Sequence, residues 1–259
     1  MVATFPVLDH PLPLPFSHAG GGKEHLENTW PGFEASVALG YPYLETDTVS
    51  TKDGVLLCFH DTHLDDLTDT EGEIAQLDYE VVAQARVGGV EPIPRLDEVF
   101  TRWPDLRINI EPKSDQAVEP LVKLIQDTGS LDRVCIGSFN DARVRKMRKL
   151  LGPGLCTSVG PVPIVWLRLS SWGVPFISKL LTRTGAGCVQ VPVKQWFLPV
   201  TDKRLVNKAH QLGLQVHVWT IDDGKEMARL LDLGVDGIMT DKPTVLKDVL
   251  VGRGQWTGT

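Results

Sequence analysis

A chain of 259 residues with 42% hydrophobic composition can bury a large core, and its length is that of one (β/α)₈ barrel. A net charge of −7 excludes an overall basic field for holding a nucleic-acid backbone or an anionic bilayer, but leaves room for a small anionic substrate where a metal or local cations cancel the repulsion. Cys58, Cys135, Cys156 and Cys188 lie far apart in apolar runs with no CxxC pair, which predicts reduced core thiols and a cytoplasmic setting rather than a zinc centre or a disulfide framework.

The opening MVATFPVLDHPLPLPFSH has no basic n-region and too many prolines for a helix, so residues 1–12 read as an extension rather than a signal peptide. No run approaches the ~18 apolar residues that would span a bilayer, and no stable membrane insertion is expected. Residues 13–252 then alternate short β-rich apolar runs with helix-period segments, the pattern of parallel strands covered by helices, and 253–259 form a tail. Strand candidates in chain order are LPLPFSHAG, YPYLETDTV, GVLLCFH, LRINIEPK, RVCIGSF, GLCTSVG, GCVQVPV, LQVHVWT and DGIMTD. That is one more than a TIM barrel has places for, and the surplus run is expected at a hairpin such as TKDG or near the last helix. Helices are expected at TWPGFEASVALG, capped by Thr29 and closed by Gly40, at DARVRKMRKLLG, capped by Asp141 and ended by Gly152, and over 201–212 and 223–233. The acidic, weakly periodic stretch 62–93 reads as a small insertion that contributes to a substrate mouth. The Trp- and Leu-rich segment 161–181 has no burial legible from sequence.

Titratable residues recur at the ends of successive strand candidates: His18 at the first, Glu45 and Asp47 at the second, His60 at the third, Glu111 and Lys113 at the fourth. In a barrel, such ends face one mouth. Glu45 and Asp47, two apart on a strand, leave the same face, and two inward carboxylates call for a cation between them. Oxygen ligands favour Mg²⁺ or Ca²⁺, with Glu111 as a third donor. The bland reading gives both acids basic partners or helix N-termini. His18, in HAGGG, sits beside glycines that let backbone N–H groups approach an anion, or simply turn the chain. His60, in LLCFHD, precedes a carboxylate. The two imidazoles flanking the acids suit an acid and a base on either side of a phosphorus. Lys113 can neutralise a phosphate oxygen or merely pair with Glu111, Trp219 can wall a pocket or fill the core, and Gln190 is a weaker polar candidate. His10, His25, His63, His210 and His217 read as structural or solvated.

The text HAGGG, LENTWPGFEASVALGYPYLETDTVSTKDGVLLCFHDTHLDDLTD, IPRLDEVF, INIEPK, GSF, VHVWTID and LGVDGIMTDKP resembles the glycerophosphodiester phosphodiesterase family in order from about residue 18 to 243. The resemblance implies a TIM barrel, one Mg²⁺ or Ca²⁺ ion on Glu45, Asp47 and Glu111, and hydrolysis of glycerophosphodiesters to glycerol phosphate and an alcohol. It implies His18 and His60 as the catalytic pair, His60 as acid and His18 as base. Glu27 in ENT would be a polar anchor, Lys113 would touch phosphate and Trp219 would line the pocket. The family usually places arginine after the first histidine; this chain has Ala19, and Lys23 is the cation expected to supply part of that charge. Rival readings are a lysophospholipase D-type enzyme on lipid-linked diesters, which exposure of WLRLSSWGVPFISKLL beside the mouth would favour, and a non-catalytic glycerophosphodiester-binding protein, hinted at by Ala19.

Overall fold

The structure is a computed structural model describing residues 5–174, 176–195 and 198–258; residues 1–4 of the extension, Pro175 and Thr259 lie outside the described residues. Its main sheet contains β1 (Leu14–Ser17), β2 (Tyr43–Ser50), β3 (Leu56–Cys58), β4 (Arg107–Pro112), β5 (Val134–Ile136), β6 (Cys156–Thr157), β7 (Cys188–Pro192), β8 (Gln215–Trp219) and β9 (Gly237–Thr240). All but β3 run parallel, in the order β6-β5-β4-β2-β1-β9-β8-β7. A parallel bridge from Ser158 to Cys188 closes the circle between β6 and β7, giving the expected TIM barrel.

The surplus strand is β3. It folds back antiparallel on β2, Thr48 opposite Cys58 and Ser50 opposite Leu56, through the TKDG turn. Gly54 takes φ 88° there, and Asp53 accepts from the Thr51 hydroxyl at 2.6 Å. His60 therefore follows a hairpin on the outside of the barrel rather than ending its third strand, and Glu111 with Lys113 belongs to that third place.

Among the described residues, eight longer helices cover the outside, besides the short Tyr79–Val82 and Ser178–Thr182: α1 (Trp30–Ala38), α2 (Leu96–Arg102), α3 (Val118–Asp127), α4 (Asp141–Leu151), α5 (Pro161–Ser171), α6 (Lys203–Gln211), α7 (Gly224–Leu233) and α8 (Pro243–Gly252). Two expected caps differ. Thr29 precedes α1 but turns its hydroxyl to the Leu26 carbonyl, and the cap of α4 is Asn140, whose side chain accepts from the Ala142 N–H at 2.9 Å. Asp141 is instead the first helical residue, where its charge suits the helix dipole.

Side-chain alternation divides each strand between helix layer and barrel interior. Leu44, Ile108 and Ile110 face the helices, while Phe16, Tyr43, Cys135, Cys156, Cys188 and Met239 pack together inside with Phe5, Val7 and Leu8. Those last three come from the N-terminal extension and stopper the closed end: the Tyr43 hydroxyl donates to the Val7 carbonyl at 2.6 Å and the Gln215 amide to that of Leu8 at 3.3 Å. The stretch after His60 forms its own small core of Leu64, Ile74, Val82, Ala85, Val87 and Ile93 against β2 and β3. In the tail, Trp256 packs edge-on against Tyr41.

Candidate active site

The parallel register of β2 and β4 sets Glu45 beside Asn109 and Asp47 beside Glu111, with all four side chains on the inner face. Glu45 and Asp47 are almost fully buried. Each has a donor. The Ala19 N–H, on a residue at φ 47°, donates to Glu45 Oε2 at 3.1 Å. Asn28, also left-handed at φ 53°, directs its amide toward Asp47 Oδ2 at 3.4 Å while accepting from the Thr46 hydroxyl at 2.7 Å. Glu111 Oε1 accepts from the Phe139 N–H at 3.3 Å. The Lys113 ammonium bridges the two strands, 2.8 Å from Asp47 Oδ1 and 3.1 Å from Glu111 Oε2.

His18 leaves the end of β1 with Nδ1 at 2.6 Å from Asp241 Oδ1 and Nε2 at 3.7 Å from Glu45 Oε2. Burial opposes its protonation, but the Glu45 and Asp241 carboxylates outweigh burial and raise it to about 9. Burial likewise pushes Glu45 up to about 7, with Asp47 adding and His18 opposing. His60 reaches the same cavity from the hairpin, half-exposed, its Nδ1 2.6 Å from Asp61 Oδ1. Each imidazole thus has a carboxylate at Nδ1, leaving Nε2 for chemistry.

The strand ends open into a cavity of about 810 Å³. His18, Glu45, Asp47, His60, Glu111 and Lys113 line one side. Val159, Ile164, Val165, Leu169, Leu198 and Val200 line the other. Gln190 and Trp219 lie between them, the Gln190 amide donating to Asn109 Oδ1 at 2.7 Å and the Trp219 indole meeting Phe139 edge-on.

Several expectations are corrected. Lys23 does not reach the cavity; its ammonium pairs with Asp222 at 2.6 Å, drawn there by a carboxylate that also caps the Asp241 N–H. The glycines after His18 do not line the cavity either: a Cβ on Gly20 would strike Phe33 and one on Gly21 would strike Pro243, so they let the His18 turn press against α1 and α8. The insertion contributes no wall, since its apolar side chains are spent on its own core. Glu27 is half-buried near His60, Asp47 and His18, with burial raising its proton affinity, but it stands outside the cavity lining.

Asp241, Asn28, Asn109 and the Phe139 N–H were not among the residues singled out from sequence. Asp241 was within reach of the same rule that found His18, because TD closes the last strand as SH closes the first. Asn28 and Phe139 act through loop conformation, which strand periodicity does not describe.

Among the described residues, no three His, Cys, Asp or Glu side chains stand around one point as a metal's ligands. The ammonium of Lys113 spans Asp47 and Glu111 instead. The donor set is nonetheless one for a hard cation: Glu45, Asp47 and Glu111 offer only oxygen, Asp241 and Glu27 add negative charge nearby, and Lys113 and His18 offset only part of it.

Residues 18–245 match the glycerophosphoryl diester phosphodiesterase family. The chain is 35% identical to a probable glycerophosphodiester phosphodiesterase 2 of Mycobacterium tuberculosis, over 98% of this chain and 97% of that one. Among solved structures it resembles a putative glycerophosphoryl diester phosphodiesterase of Silicibacter pomeroyi, with a TM-score of 0.82 and 25% identity over 98% of this chain and 100% of that one. A phosphodiesterase of Oleispira antarctica, solved with the product sn-glycerol-3-phosphate, shares the fold at a TM-score of 0.78 and 20% identity, covering 93% and 97% of the two chains.

Proposed function

The chain belongs to the glycerophosphoryl diester phosphodiesterase family, and from that premise we propose that it hydrolyses glycerophosphodiesters to glycerol phosphate and an alcohol, with His18 and His60 as the acid–base pair. The observation that carries the reading is two imidazoles, each with a carboxylate at Nδ1, lining one cavity together with Glu45, Asp47 and Glu111. One takes the proton of the attacking oxygen and the other gives one to the leaving alcohol.

Glu45, Asp47 and Glu111 would hold one Mg²⁺ or Ca²⁺, which supplies positive charge to a phosphate oxygen as negative charge develops there. Lys113 would then be free to meet the phosphate, and Trp219 and Gln190 shape the space around the glycerol. The Ala19 N–H steadies Glu45, and because its side chain carries no guanidinium and Lys23 is held by Asp222, the phosphate charge falls to Lys113 and the cation. Glu45 and Asp241 both favour the protonated His18 ring, which suits the acid role; with the Glu45 charge engaged by a cation that hold would weaken toward the base role the resemblance implies.

Turnover of glycerophosphocholine, read as glycerol phosphate released, tests the proposal. His18→Ala and His60→Ala should each lower kcat by roughly 10²-fold or more. Near-normal hydrolysis by both variants would defeat it.

A further inference from the structure

The apolar wall of the cavity does not stop at the mouth. Val165, Trp172 and Leu198 line it and are also more than half exposed outside, at 56%, 57% and 56%. Val162, one turn before Val165 on α5, and Leu180, on the short helix Ser178–Thr182 that packs against α5, are exposed as well, and Phe176 stands exposed just before that short helix. An exposed apolar surface of this kind, continuous with a cavity, marks an interaction site.

Its charge differs from that of the rest of the chain. Between Asp141 and Asp202 there is no carboxylate, although Asp and Glu outnumber Lys and Arg overall by 33 to 26. Lys179, Arg183 and Lys194 are exposed within that stretch, and the Lys179 ammonium lies 5.9 Å from the Phe176 ring. Aromatic and aliphatic side chains fringed by Lys179, Arg183 and Lys194, with Asp141 at the edge where it accepts from the Val162 N–H, match the interface of an anionic bilayer. The acidic remainder of the molecule would be repelled from such a surface, which orients this face toward it.

We propose that the face carrying Val162, Val165, Trp172, Phe176, Leu180 and Leu198 docks peripherally on an anionic lipid surface, bringing the cavity mouth to the membrane. Among the described residues no helix is long and apolar enough to cross a bilayer, consistent with docking rather than insertion.

Co-sedimentation of the full chain with vesicles of phosphatidylcholine, alone or mixed with phosphatidylglycerol, tests the docking. Binding to the mixed vesicles should be the stronger and should weaken with added salt. Phe176→Asp, and Lys179→Glu combined with Arg183→Glu, should each weaken it by about tenfold or more. None of these residues lines the cavity, so glycerophosphocholine turnover and thermal unfolding should stay at wild-type levels. Absence of sedimentation, equal sedimentation of wild type and variants, or self-association abolished by Phe176→Asp without vesicle binding would each overturn the proposal. Vesicle binding by a protein that cleaves no glycerophosphocholine would support the docking and sink the hydrolase reading instead.

Discussion

His18 Nδ1 lies 2.6 Å from Asp241 Oδ1, a contact that ties the end of the first barrel strand to the end of the last. A carboxylate in that position fixes the imidazole tautomer, leaves Nε2 facing the acids, and favours the protonated ring. Asp241→Asn should lower kcat roughly tenfold to a hundredfold with little change in KM, since the amide keeps the shape but not the charge. Losing that charge should also move the His18 titration to lower pH. A pH–rate profile or the histidine proton resonances would register the shift; an unmoved limb and unchanged kcat would leave Asp241 a structural contact only.

Lys113 spans the buried Asp47 and the partly exposed Glu111 on neighbouring strands, so its removal leaves the two acids repelling each other across the register. Lys113→Met should destabilise the protein by roughly 1–3 kcal/mol. Added Mg²⁺ or Ca²⁺ should restore much of that loss by replacing the missing charge. Thermal melts with and without the ion distinguish this from a simple packing defect, which no ion would repair.

The proposed cation site can be examined without any turnover. Calorimetric titration with Ca²⁺ and Mg²⁺ should show binding by the wild type that is lost, or weakened roughly a hundredfold, in Glu45→Gln and Asp47→Asn. Undiminished binding by both variants would move the ion elsewhere.

His217 sits wholly inside the barrel, its Nε2–H donating to the Gln215 side chain at 3.0 Å while Nδ1 has no partner. Burial lowers its proton affinity to about 3, whereas the unfolded ring takes a proton near 6.5. The unfolded chain therefore binds the extra proton first as pH falls. Stability from this residue is complete above about 6.5 and is lost toward about 3, at about 1.4 kcal/mol per pH unit. Urea unfolding at several pH values would measure the slope, and His217→Asn should flatten it; identical slopes would place the sensitivity in other groups.

The barrel was legible because the alternation of apolar runs with helix-period segments is a chain-wide property. Glu45, Asp47 and Glu111 were legible because spacing by two on a strand fixes the face. Where local pattern fell short, the cause was a turn or a contact between distant segments. GVLLCFH reads like any buried strand, and only the turn before it sends it back along β2. Lys23 looked available because its partner, Asp222, lies far along the chain. The net charge of −7 hid a stretch from 142 to 201 without a single carboxylate, since a sum carries no position.

Phe5, Val7 and Leu8 dock on side chains from β2 and β8, so the stopper at the closed end joins pieces more than two hundred residues apart in sequence. During synthesis Phe5, Val7 and Leu8 emerge long before β8, so their seat is incomplete until that strand has been made, and the barrel floor is sealed by a segment that must wait for its partners.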